Sequence, residues 1–239
     1  AMMALRSRLV RRVVVGAALL GVCVGAGAPA QALMPKPPTP KESAQAYERM
    51  LAPEDPPKEL LVSDGIEYTT KYHPGQHQAL CDKNGVSVEG RETNLLFQVE
   101  LGETNSLKDP VALEQKVWPY RNSTEALREW QYIEQQVKLC TGRSQWKGET
   151  GENVQYLSNG RTKDMIQGRT GIWIWIDARK GSFNVESEDG GYYVLYLVGD
   201  TIQSVEYDYP DAKGLSQGLK DMVNRLAWVL GNRWLAAAT

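Results

Sequence analysis

Several groups of residues in this 239-residue chain have types and spacings that could do chemistry. His73, His77 and Cys81 recur at every fourth position, which on a helix would turn two imidazoles and a thiolate toward one metal ion. Pro74 works against helical geometry at His73 and is better suited to opening a turn or a short helix. Gly214-Leu-Ser216-Gln-Gly218 matches G-x-S-x-G, the sharp strand-to-helix turn that presents a nucleophilic serine. That chemistry needs a histidine after the serine, and both histidines lie far upstream. Pro210 to Lys213 also intervenes where the turn must be tight, so Ser216 is expected to cap a helix instead. Asp82, Asn84, Ser87 and Glu89 resemble a calcium loop, but Val86 offers no oxygen ligand and the fixed glycine is missing. An exposed hairpin is the expectation there, and Glu186, Glu188 and Asp189 read as solvated turn charges. No acid and base stand out as a catalytic pair. The sequence therefore predicts no catalytic residue, no bound metal and no cofactor.

Aromatic residues offer a different chemistry. The chain has 7 Trp and 11 Tyr. Trp173 and Trp175 alternate with isoleucines in one predicted strand, and Tyr192 and Tyr196 share a parity in a later one. If all four face the same side they could line an aromatic cleft that binds a ligand. The competing expectation is that a second layer covers them as core. Trp173, Trp175, Tyr192 and Tyr196 are carried forward as the candidate ligand-binding residues. Asn122-Ser-Thr124 fits a glycosylation sequon, although a helix start explains the same residues.

The compartment follows from the first residues. Arg6, Arg8, Arg11 and Arg12 precede the apolar run Val13 to Val24 and the motif Ala30-Gln31-Ala32, the pattern of a cleavable export signal ending before Leu33. Arg11-Arg12 suggests a twin-arginine signal, but Val10 replaces the usual Ser or Thr, which favours general secretion. Val22 before Cys23 is too bulky for lipoprotein processing. A leader at 1–32 with four Arg and no acid takes the formal charge from −2 to −6 on removal. Such a mildly acidic product has no footprint for nucleic acid and no basic patch for a membrane surface. It is expected to be a secreted or cell-envelope protein, a monomer with no membrane span after cleavage. Its two remaining cysteines, Cys81 and Cys140, are expected to pair as a disulfide, the alternative being a reactive thiol. Closing a loop of about sixty residues would constrain the unfolded chain by about 4 kcal/mol in the loop-entropy model. The bond would also remove the thiolate from the His73/His77/Cys81 set.

These residues need elements to hold them. Pro35, Pro37, Pro38 and Pro40 predict an extended tether over 33–57, with a short helix within 41–52 ended by Pro53. One domain is expected from Lys58 to Thr239. Residues 92–101 read as a strand with Phe97, Val99 and Leu101 sharing a face. Asn122 followed by Glu125 starts a helix whose stripe is Ala126, Trp130, Ile133, Val137 and Cys140. From Gly171 to Tyr209 the chain reads as strands 171–177, 181–186, 192–198 and 201–209, an antiparallel meander because its loops are too short for parallel crossovers. Leu215, Leu219, Met222, Val223, Leu226, Leu230 and Trp234 keep helical period and should pack on the sheet. The expectation is an α+β fold, a twisted antiparallel meander flanked by helices and holding one disulfide.

In this order the elements have a resemblance. Val117-Trp118-Pro119-Tyr120, the helix Ser123-Thr-Glu-Ala-Leu-Arg-Glu-Trp130 ending at Cys140, and the strand Val198-Gly-Asp-Thr-Ile-Gln-Ser-Val-Glu206 before an amphipathic helix resemble actinobacterial exported sensor-like domains. These include the extracellular sensor domains of mycobacterial Ser/Thr protein kinases of the PknH type. The resemblance spans about residues 60 to 235. It implies a twisted antiparallel sheet, flanking helices, a ligand cleft and no catalytic residue. This chain has one expected disulfide where those domains have two, and no kinase domain. The reading that follows is an exported, non-enzymatic sensor-like domain binding a small ligand or an envelope protein. The alternatives are a secreted hydrolase built on Ser216 or on a His-bound metal, and a structural envelope protein.

Overall fold

The computed structural model describes residues 38–60, 65–72, 81–82, 85–86, 95–102, 112–148, 151–179, 189–210 and 215–237; at 72, 81–82, 85–86, 143–148, 151–156, 177–179, 189–190 and 209–210 only the backbone is considered. The expected leader, His73, His77, the 181–186 strand, the side chains of the calcium-like loop and the acidic residues Glu186 and Glu188 fall outside what is described.

Helix α1 (Pro40–Tyr47) comes first, followed by strands β1 (Ile66–Tyr72), β2 (Cys81–Asp82), β3 (Gly85–Val86), β4 (Leu95–Leu101) and β5 (Ala112–Pro119). Helix α2 (Ser123–Gln136) separates these from β6 (Gly142–Gly148), β7 (Gly151–Ile166), β8 (Arg169–Arg179), β9 (Asp189–Val198) and β10 (Thr201–Pro210), and α3 (Gln217–Ala236) closes the fold. Eight strands form one sheet in the order β1-β4-β5-β10-β9-β8-β7-β6, and every pairing is antiparallel. The architecture is α+β, as expected. The meander is real from β6 to β10, but three strands from the first half extend the sheet beyond β10, so the whole is more than a meander. Glu188 to Gly191 was expected to be a turn; Asp189, Gly190 and Gly191 instead begin β9.

Period-two alternation sorts the two faces. Phe97, Val99, Leu113, Val117, Tyr192, Val194, Tyr196, Val205 and Tyr207 join a core with α1 and α3. Leu96, Trp118, Ile172, Ile174, Leu195, Leu197 and Ile202 join the α2 residues Ala126, Trp130 and Ile133 and the following Val137 and Cys140 on the other side. Each fully buried aliphatic side chain contributes about 1.5–3 kcal/mol. The turns match the strand twist. Gln167 and Gly168 both have positive φ between β7 and β8, as a two-residue hairpin requires, and Gly199 does so between β9 and β10.

The helices start where their sequences say. Asn122 Oδ1 accepts the Glu125 N–H at 3.0 Å. Ser216 Oγ accepts the Leu219 N–H at 3.3 Å. Thr39 and Glu42 form a reciprocal capping box at α1.

One expectation needs correction. The segment before Lys58 does not behave throughout as an extended tether, because Ala46, Met50 and Leu51 are buried in the α3-side core. Leu51 N–H donates to Gln115 Oε1 at 2.7 Å. Arg233 of α3 grips Asp55 with both guanidinium nitrogens and donates to the Met50 carbonyl at 3.0 Å. Helix α1 already ends at Tyr47, ahead of Pro53, and the prolines do not keep the apolar pair Met50-Leu51 out of the core.

Candidate functional site

The four aromatic candidates do share one face of the sheet. Trp175 stands opposite Tyr192, and Trp173 opposite Val194, in the β8–β9 register. Tyr196 is two residues beyond Val194 on the same face. That face looks toward α3, and the four residues differ in access. Tyr192 and Tyr196 are buried, while Trp173 and Trp175 are half-buried at the margin of the core.

Neighbours explain the difference. The Trp173 ring stacks on Tyr192 with centroids 6.1 Å apart and planes 20° from parallel. It sits in a notch left by Gly160, where any Cβ would come within 2.5 Å of the indole. Tyr192 OH accepts from Asn224 Nδ2 of α3 at 3.1 Å. Tyr196 OH donates to Thr162 Oγ1 at 2.9 Å, and the Gly171 N–H donates to the same oxygen at 2.7 Å. Burial pushes the Tyr192 phenol up to about 12 and raises that of Tyr196, so neither ionises near neutrality. Both rings are thus buried in the α3-side core with their hydroxyls hydrogen-bonded. The accessible part of the candidate set is thus a ledge of Trp173 and Trp175. Lys220 of α3 lies over it, its Nζ 3.1 Å from the Trp175 ring centroid, a cation–π contact. Lys220 and Asn224 were not singled out in the sequence, although the helical period of α3 puts both within a turn or two of Leu219 and Val223.

The opposite face carries polar chemistry that the sequence reading missed. Lys116 Nζ lies 2.7 Å from Glu114 and 2.8 Å from Glu206, with the lysine and Glu206 side chains only 6% and 5% exposed. Ser204 donates to the second Glu206 oxygen at 2.7 Å. Burial is the main cause that lifts Glu114 to about 7; Lys116 opposes it, while Glu206 and Glu100 add to it. Burial works against a charged Lys116, yet the two carboxylates outweigh it and raise its pKa. Tyr193 is pushed well up by burial and then by Asp208, Glu206 and Glu114. Glu114, Lys116 and Glu206 thus form a buried ion-paired cluster beside Tyr193.

Ser216 caps α3 as expected, its Oγ holding the first turn of the helix. Among the described residues no group of three His, Cys, Asp or Glu is placed to hold a metal, and no helix is long and apolar enough to cross a membrane.

A mixed-polarity antiparallel sheet with helices on both faces defines an α+β domain by architecture. The extracellular domain of PknH from Mycobacterium tuberculosis has a similar fold, with a TM-score of 0.54 over 78% of this chain and 93% of that domain. Identity is 8%, so the likeness lies in the fold alone. No protein-family model and no curated sequence matches the chain.

Proposed function

We propose that this chain is an extracytoplasmic, non-enzymatic sensor-like domain that binds a small ligand or an envelope protein. The observation that carries the reading is the fold shared with a kinase extracellular domain along 93% of that domain's length. The basic and apolar leader pattern supports an exported location. The half-buried Trp173 and Trp175 beside Lys220 supply a surface where an aromatic or cyclic group can stack.

We further propose that Cys81 and Cys140 pair. Cys140 is buried at the end of the α2 stripe. The backbone of β2, which contains Cys81, lies against the 3-10 turn Val137–Leu139 just before Cys140.

Native mass spectrometry of the protein from its own culture fluid tests these points together. The expected mass begins at Leu33, lacks two protons until reduction, and keeps a ligand under gentle conditions. A retained leader would sink the export reading. Trp173→Ala/Trp175→Ala is expected to lose the retained ligand and stay folded; if it unfolds instead, the two rings serve only the core.

A further inference from the structure

Strand β1 ends the eight-stranded sheet on one side, and β4 is its only neighbour among the described strands. Its seven residues pair with β4 in an unbroken register, from Ile66 opposite Leu101 to Tyr72 opposite Leu95. The Gly102 N–H donates to the Gly65 carbonyl at 3.0 Å, one step further along the same register. Backbone groups alternate in direction along an antiparallel pair, so Gly65, Glu67, Thr69 and Lys71 turn their N–H and C=O toward β4. Those of Ile66, Tyr68, Thr70 and Tyr72 turn outward, where no described strand receives them.

Sheets usually guard such an edge by shortening it, bulging it or placing proline in it. Strand β1 has seven residues, no bulge against β4 and no proline. Among the described residues five large apolar side chains are exposed, and two of them, Ile66 and Tyr68, stand on this strand. Charge is the other usual guard, and here its arrangement invites one partner in particular. Glu67 and Lys71 lie two residues either side of Thr69 with opposite signs. Among the described residues neither forms an ion pair.

We infer that β1 is a dimerisation edge, on which two copies of this chain pair antiparallel about Thr69 and join their eight-stranded sheets into one. With Thr69 on the two-fold axis, Glu67 stands opposite the partner's Lys71, Tyr68 opposite the partner's Thr70, and Ile66 opposite the partner's Tyr72. The outward N–H and C=O groups of all four even-numbered residues then meet one another. Glu67 and the partner's Lys71 fall at a non-hydrogen-bonded position, where Cα atoms are about 4.5 Å apart and side chains are closest. Moving the axis to Tyr68 or Thr70 loses both charge pairings, so the sequence selects the register. Glu67 gains most, because within its own sheet it faces Glu100, a like charge that repels. The occupant is a second copy, since the order of charges along β1 matches its own reverse. Such a pairing uses the same patch on both partners and closes at two. It departs from the expected monomer and does not depend on the role proposed for Trp173 and Trp175.

Sedimentation equilibrium of the full chain tests the inference at about 0.15 M salt and over about 1 to 200 µM, the range suited to a small interface. A concentration-dependent dimer is expected. Glu67→Lys and Lys71→Glu each oppose like charges twice in the dimer and should raise its dissociation constant about tenfold. Glu67→Lys/Lys71→Glu exchanges the pair and should bring the constant back to within about threefold of the parent's. Far-UV circular dichroism checks that the variants fold; the two single reversals are independent, so either one with the exchange carries the test. A monomer throughout the range overturns the inference and leaves the edge to the chain's own residues or to a strand of another protein. A dimer indifferent to the single reversals, or one that the exchange does not restore, also overturns it, because another surface or register then holds the copies together.

Discussion

Replacing Glu114 by Gln should stabilise the protein, and only above mildly acidic pH. Glu114 titrates at about 7 in the fold against an ordinary value of 4.5. A folded-state pKa above the unfolded one means that the fold holds this proton more tightly. Stability is fully present below about pH 4.5, is lost progressively as pH rises through the interval to about 7, and is level above it. A shift of about 2.5 units corresponds to about 3 kcal/mol, with the Lys116 attraction already included. The side chain is 15% exposed, so solvent screens little of this. Glutamine keeps an oxygen for Lys116 Nζ, carries no charge to bury, and imitates the protonated acid. Urea unfolding at about pH 5 and about pH 8 measures the effect. The advantage of Glu114→Gln over the parent should grow by about 3 kcal/mol at the higher pH, spread across the other titrations common to both proteins. A difference that stays constant between the two pH values would refute the reasoning, and a variant less stable than the parent at pH 8 would show that the Lys116 ion pair outweighs burial.

Two further outcomes follow from local geometry. Gly160→Ala drives a methyl against the Trp173 indole and should cost about 1–3 kcal/mol as an overpacked site, read as a lower Tm together with a changed tryptophan emission. Ser216→Ala removes the α3 cap and should lower stability by about 1 kcal/mol in urea titration; a loss of hydrolytic activity with unchanged stability would instead restore Ser216 as a nucleophile.

What the sequence revealed depended on how one-sided the burial was. Helix α2, the start of α3 and the isoleucine face of β8 were legible because a single apolar stripe met a single core. Strand β5 was not, since both its faces are buried and one of them is polar. Gln115 is fully buried, yet it serves as a bridge, accepting from Leu51 and donating to Gln203. Lys116 is buried among carboxylates. Such a stretch reads as a solvated strand or loop until its neighbours are known. The aromatic set was legible as a shared face, but parity cannot say whether a helix lies on top, and α3 does. The cluster of Glu114, Lys116 and Glu206 was beyond reach of any local pattern, because its members come from two strands far apart in sequence that only the register aligns. Met50 and Leu51 were hidden by the prolines around them, which set backbone shape and say nothing about whether an apolar neighbour docks.

The grip of Arg233 on Asp55 and the Met50 carbonyl bears on the order of events during synthesis. Residues early in the fold are secured by a helix that follows all its strands, and β5 acquires its inner neighbour only when β10 follows. Contacts so distant along the chain form slowly, because a long loop must close before they contribute. A growing chain would therefore expose Met50, Leu51 and the inner edge of β5 until β10 and α3 are made. Delay of this kind marks the stretch of time in which a helper that holds unfolded chains would have its greatest effect.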